Sequence, residues 1–209
     1  MTDITELIKT LATKRPVFHS EADFQHALAW EVHQQLPSAS IRLEFPTQRQ
    51  GKAFHVDIWV VQDGAILAVE LKYKTRALQV PVGGELFTLK GQSAQDIGRY
   101  DFIKDIWRLE QVLSDRSGAV GYAILLTNDS AYWIPQRDIQ PVDADFRLHS
   151  GRTFGGTLRW GAGASAGTMR DREAPLILRG RYTMNWEDYS RLGTPSYNVF
   201  RYLAIKVNT

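Results

Sequence analysis

With 209 residues, 44% of them hydrophobic, the chain can bury one good core and is most simply a single domain, 1–209, with elaborations. It contains no Cys, which excludes disulfides, thiolate metal ligands and a Cys nucleophile and suits a reducing cytoplasm; no apolar run approaches membrane-spanning length and no basic-then-apolar leader follows Met1, so neither a membrane nor secretion is indicated. The net charge of +2 is too small to argue for a polyanionic partner, but residues 131–209 carry 11 basic side chains, 10 of them Arg, against 7 acidic, while residues 1–130 carry 14 against 16.

In chain order, Ile4, Leu7, Ile8 and Leu11 have the spacing of a short amphipathic helix over Asp3 to Thr13. Ser20 offers an N-cap, Glu21 and Asp23 supply first-turn acids, and a second helix runs to Leu36, stopped by Pro37. Glu21 shares a face with Phe24 and Leu28, which is odd for a solvated charge, although a first-turn acid also complements the helix dipole. His19, His26 and His33 recur every seven residues, whereas zinc ligands on one helix want i, i+4 spacing, so they read as ordinary helix residues. Ile41 to Gln48 alternates as a half-buried strand.

Residues 54–74, FHVDIWVVQDGAILAVELKYK, hold the most informative pattern. Asp63-Gly64 is a two-residue hairpin turn between two apolar strands. Pairing Gln62 with Ala65 and counting outward sets Asp57 opposite Glu70, and strand alternation brings Lys72 to the same face. Two opposed carboxylates and an amine in an apolar hairpin are poor stabilisers, because like charges that close repel. A divalent cation resolves the conflict: Mg²⁺ takes carboxylates, carbonyls and waters, and Lys72 would sit where it can orient or help deprotonate an attacking water or neutralise a phosphate. The bland alternative is an edge hairpin with a Glu70–Lys72 salt bridge.

Leu78–Val82 and Glu85–Leu89 flank Gly83-Gly84 and read as an inserted hairpin, either a flap that touches substrate or an embellishment. A long helix spans about Ser93 to Ser114 with Phe102, Ile106, Leu109 and Leu113 as its stripe, and that stripe extrapolates back to Arg99 and Gln95. Asp96, Tyr100, Asp101, Asp105 and Arg108 can form an i, i+3 and i+4 charge network on the same helix. Ala119–Thr127 is a continuous apolar run, expected for a buried strand after a crossover. Arg152 to Arg181 mixes Arg with Gly, which predicts a loop, either closing on a nucleic-acid backbone through Arg152 and Arg159 or simply solvated. Trp186 to Leu203 supplies aromatics that read first as packing, and Val199–Val207 as a strand that extends the sheet.

Asp57 followed by Glu70-Leu71-Lys72 on the next strand resembles the PD-(D/E)XK signature of the restriction-endonuclease-like nuclease superfamily, with Val56 in place of the Pro. The resemblance covers about residues 18–128, leaving 129–209 as a C-terminal elaboration, and it implies an α/β fold: an αβββαβ core with a mixed central sheet flanked by helices, here carrying the inserted hairpin and a C-terminal strand. It implies hydrolysis of phosphodiester bonds, most simply in DNA, with Asp57, Glu70 and Glu21 on Mg²⁺ (Mn²⁺ substituting), Lys72 assisting the water, and Gln95 and Arg99 supporting the site from the following helix. The alternative for those two is an ordinary fraying, solvated first turn. The same fold also admits an inactive nucleic-acid-binding module, and a homodimer is compatible with either.

Overall fold

A computed structural model describes residues 3–49, 52–135, 141–193 and 195–208. Two helices lead: α1 (Ile4–Lys14), whose cap Asp3 accepts from the Thr5 N–H, and α2 (Glu21–Gln35), where Ser20 accepts from Asp23 N. Strands β1 (Ser40–Arg49), β2 (Lys52–Gln62) and β3 (Ala65–Lys74) follow, then the small hairpin β4 (Leu78–Val82) and β5 (Glu85–Leu89), helix α3 (Gln95–Leu113) and β6 (Val120–Thr127). The remainder holds β7 (Thr153–Leu158), a single turn α4 (Ala166–Met169), β8 (Leu176–Thr183), β9 (Trp186–Arg191) and β10 (Val199–Asn208).

The central sheet has the order β1-β2-β3-β6-β10-β9. It is mixed: β3 and β6 run parallel, joined by the crossover through α3, and every other neighbouring pair is antiparallel. Asp63 (φ 49) and Gly64 (φ 79) both turn left-handed, as the two-residue loop between β2 and β3 requires. One sheet face, including Leu67, Val69, Leu71 and Tyr73 of β3, packs with Ile4, Leu7, Phe24 and Leu28 of α1 and α2. The opposite face, including Ala68, Ala123 and Leu125, packs with Phe102, Ile106 and Leu109 of α3. The fold is therefore α/β, a mixed sheet between helical layers, with Glu70 and Lys72 on strand β3 at its centre.

The Arg- and Gly-rich stretch differs from the expected loop. Strands β7 and β8 form a two-stranded antiparallel sheet whose Phe154, Leu158, Leu176 and Leu178 join the core against α3. Buried Glu110 of α3 organises it, accepting from Arg179 N (2.9 Å), Gly180 N (2.7 Å) and the Tyr182 hydroxyl (2.7 Å). Gly155 lies at a bulge where an added Cβ would meet the Gly180 carbonyl at 2.6 Å, so this glycine serves close strand approach. The C-terminal aromatics do pack: Tyr202 and Phe200 are buried, and β10 pairs with both β6 and β9.

Candidate active site on the central hairpin

The hairpin register runs from Gln62↔Ala65 to Ile58↔Val69, and the same count places Asp57 across from Glu70. The ladder stops at Ile58, however. Continued alternation would hand the Leu71 N–H to the Val56 carbonyl; instead it donates to Asp57 Oδ2 at 2.5 Å. The neighbouring strand is irregular at the same level, where Glu44, between the pairs Leu43↔Ile58 and Phe45↔Val56, adopts φ 49. Before this point Leu43 and Ile58 face the α1/α2 layer; after it Phe45 and Val56 face the α3 layer. Both strands thus reverse their facing at Glu44 and Asp57. Gln25 of α2 pins the reversal, its Nε2 donating to Glu44 Oε1 (2.8 Å) and to the Asp57 carbonyl (2.7 Å).

Lys72 points toward α3, where its Nζ lies 2.8 Å from Asp105 Oδ2 and donates to the Leu71 carbonyl at 3.0 Å. The Lys72–Asp105 contact is a close ion pair, and Arg108 adds a second cation 3.2 Å from Asp105 Oδ1. Glu70 is 2% exposed, and its Oε1 finds no hydrogen-bond partner among the described residues. Such an orphaned buried oxygen is costly unless a proton or a cation meets it.

The electrostatics follow from this crowding. Burial raises the Asp57 carboxyl from its ordinary 3.8 to about 6, against the Leu71 N–H and Lys72, which lower it, and with Asp105 and Glu21 pushing it up. Burial, then Asp105 and Asp57, push Glu70 well above the carboxylate range. Burial also raises Asp105, opposed by Lys72 and Arg108. At Lys72 burial opposes the charge, but Asp105, Glu21 and Asp57 outweigh it and hold the ammonium above the ordinary lysine value. The site therefore makes its acids easier to protonate than free carboxyls and keeps its lysine charged.

Glu21 stands at the rim. Its Oε2 accepts from Tyr73 N at 2.7 Å, one residue beyond Lys72, so it feels the site's charges while serving as an acceptor for the end of β3. Among the described residues, no group of three or more His, Cys, Asp or Glu side chains is arranged to hold a metal ion. Gln95 and Arg99 join a different cluster: Gln95 donates to Asp129 Oδ2 (2.9 Å), while Arg99 pairs with Asp143 (2.5 Å) and donates to the Ala131 carbonyl (3.0 Å). They tie the start of α3 to the segment after β6. Arg152 is spent on the carbonyls of Ala144 (2.5 Å) and Asp145 (3.1 Å), and Arg159, exposed, gives its backbone N–H to Asp145.

Sequence reasoning left Asp105 within a helix charge network and passed over Gln25 and Glu44. Asp105 and Gln25 did carry a signal. Each occupies a core-facing helical position, beside Phe102 and Ile106 in one case and between Glu21 and Leu28 in the other, where an apolar residue is the rule. No protein-family model matches the chain, and no curated protein or solved structure matches it significantly.

Proposed function

We propose that the chain is a divalent-metal-dependent nuclease, a hydrolase of phosphodiester bonds with DNA as the first candidate substrate, built on a restriction-endonuclease-like αβββαβ core. Helix α2, strands β1 to β3, helix α3 and strand β6 follow one another in that order, with the hairpin β4–β5 inserted and β10 extending the sheet. The single observation that carries the reading is Glu70: buried, with an oxygen that has no hydrogen-bond partner among the described residues, and close enough to Asp57 and Lys72 to feel both charges. That donor set fits Mg²⁺ or Mn²⁺, which needs few protein oxygens and keeps several waters. Asp57 and Glu70 would hold the ion, and Glu21 would act from the rim, more through its charge than as a direct ligand. When bound, the metal supplies Lewis-acid stabilisation and an activated water.

The chain's own residues divide the remaining work. Lys72, held cationic, orients the attacking water and stabilises negative charge developing on the phosphate, a role that suits its raised ammonium better than proton abstraction. Asp105 aims the Lys72 ammonium from α3. Gln25 and the Leu71 N–H fix the Asp57 backbone and carboxylate. With no group of three acids arranged to hold a metal among the described residues, the site also suits a second reading, a nucleic-acid-binding module of the same fold that does not cut.

The deciding experiment incubates the purified chain with labelled linear, circular and single-stranded DNA and RNA in Mg²⁺, Mn²⁺ or EDTA. Cleavage is expected with either metal and is abolished by EDTA and by Glu70→Gln. Binding without cleavage under every metal moves the assignment to the binding module.

A further inference from the structure

Beyond Lys72 the chain reads Tyr73-Lys74-Thr75-Arg76, and the strand alternation continues past the end of β3. Leu71, Tyr73 and Thr75 are 0%, 3% and 4% exposed, while Lys72, Lys74 and Arg76 are partly exposed. Three cations thus project from one side of the chain at every second residue. Two residues of extended chain advance about 6.6 Å, which is close to the repeat of successive phosphates along a nucleic-acid strand. Lys74, Arg76 and the nearby Lys90 have no acidic partner among the described residues.

The row is built into its surroundings. On one side Thr75 donates its hydroxyl to the Lys90 carbonyl (2.8 Å) and accepts from Gln92 N (2.8 Å), so Lys90 is anchored on the bank of a cavity of about 470 Å³ that Lys74 and Glu21 also line. The acids here are Glu21, whose Oε2 accepts from Tyr73 N, and Glu85, whose carboxylate lies 2.8 Å from His19 Nε2. On the other side Asn128 accepts from Arg76 N (2.7 Å) and donates to the Tyr197 carbonyl (2.8 Å). The Arg76 guanidinium lies 4.9 Å from the Tyr197 ring centroid and donates to its hydroxyl. Tyr197 is 43% exposed and, with Trp133, Ser130 and Asn198, walls a cavity of about 370 Å³ whose Asp188 is neutralised by Arg201 at 2.8 Å.

We infer that Lys72, Lys74 and Arg76 form a phosphate track that leads one unpaired strand of nucleic acid out of the acidic site and delivers a base onto Tyr197. The inference rests on the proposed nuclease reading for what occupies the hairpin site. Evenly spaced point charges suit a sugar–phosphate backbone, and an exposed aromatic ring beside an arginine suits a splayed base, which a duplex keeps stacked within itself.

The test measures anisotropy of a short fluorescein-labelled oligothymidylate in EDTA across a salt series, so that no cleavage is needed. Lys74→Gln and Arg76→Ala should each flatten the log affinity against log salt slope by about 0.7, the value of one phosphate contact on a single strand. Tyr197→Ala should lose roughly tenfold in affinity at an unchanged slope, with Tyr197→Phe near wild type, since stacking needs the ring and not the hydroxyl. A duplex of the same length should bind more weakly and ignore Tyr197→Ala. Among the described residues the Lys74 ammonium bonds to nothing, so Lys74→Gln has no structural reason to unfold, and melting curves verify each variant. Unchanged slopes in folded Lys74→Gln and Arg76→Ala, or equal losses in Tyr197→Ala and Tyr197→Phe, would overturn the track. A chain that binds as expected but never cuts overturns the nuclease reading alone; one that cuts while its binding ignores all three positions overturns the track alone.

Discussion

Asp57→Asn tests the strain that the acidic hairpin stores. The carboxyl titrates near 6 when folded against 3.8 ordinarily, so between those values the folded chain holds the proton that the unfolded chain has lost. Stability therefore falls as pH rises from about 4 to 6 and stays reduced above. The shift of about two units amounts to roughly 3 kcal/mol at neutral pH. Asparagine resembles the protonated carboxyl and keeps an oxygen for the Leu71 N–H, whose preference for the charged form is already contained in that shift. The expectation is a variant about 3 kcal/mol more stable than wild type at pH 7.5, or about 6–12 °C in Tm for a chain of this size, with no advantage at pH 4. Urea unfolding at both pH values reads it. A variant less stable at pH 7.5, or a difference that does not change with pH, would show that Asp57 is not held against its charge and would remove the electrostatic case for a cation at this site.

Millimolar Mn²⁺ should raise the wild-type Tm, take up no more than a fraction of that effect in Asp57→Asn, and release protons on binding at pH 6, because Asp57 and Glu70 must give up theirs; a melting curve indifferent to Mn²⁺ counts against the metal. Lys72→Ala should lower the cleavage rate by about a hundredfold or more with substrate affinity largely kept, as expected for a group that acts on developing charge; equal losses of rate and affinity would make Lys72 a binding residue. Glu110→Ala should destabilise the fold by at least about 3 kcal/mol, since two backbone N–H groups and the Tyr182 hydroxyl lose their shared acceptor, and a change below about 1 kcal/mol in urea unfolding would refute that role for the small sheet.

What the sequence by itself determined is what short-range chemistry controls. Asp63-Gly64 sets a two-residue turn, the turn sets the register from Gln62↔Ala65 to Ile58↔Val69, and period-two alternation along β3 then puts Glu70 and Lys72 on one face without reference to the rest of the chain. Ser20 and the apolar stripes located the helices within a residue or two for the same reason. Tertiary structure alone decided where distant polar groups meet. Asp105 reaches Lys72 across 33 positions, and Gln25 reaches the Asp57 carbonyl across 32 to hold a strand reversal that no local propensity announces. Arg99 and Gln95 turn to Asp143 and Asp129 because these acids arrive from the chain beyond β6, and the glycine-rich segment becomes sheet because Glu110 waits on α3 with acceptors for its N–H groups. A buried polar group takes whichever partner the packed fold brings within about 3 Å, and that distance is set by the packing of layers rather than by neighbours in the chain.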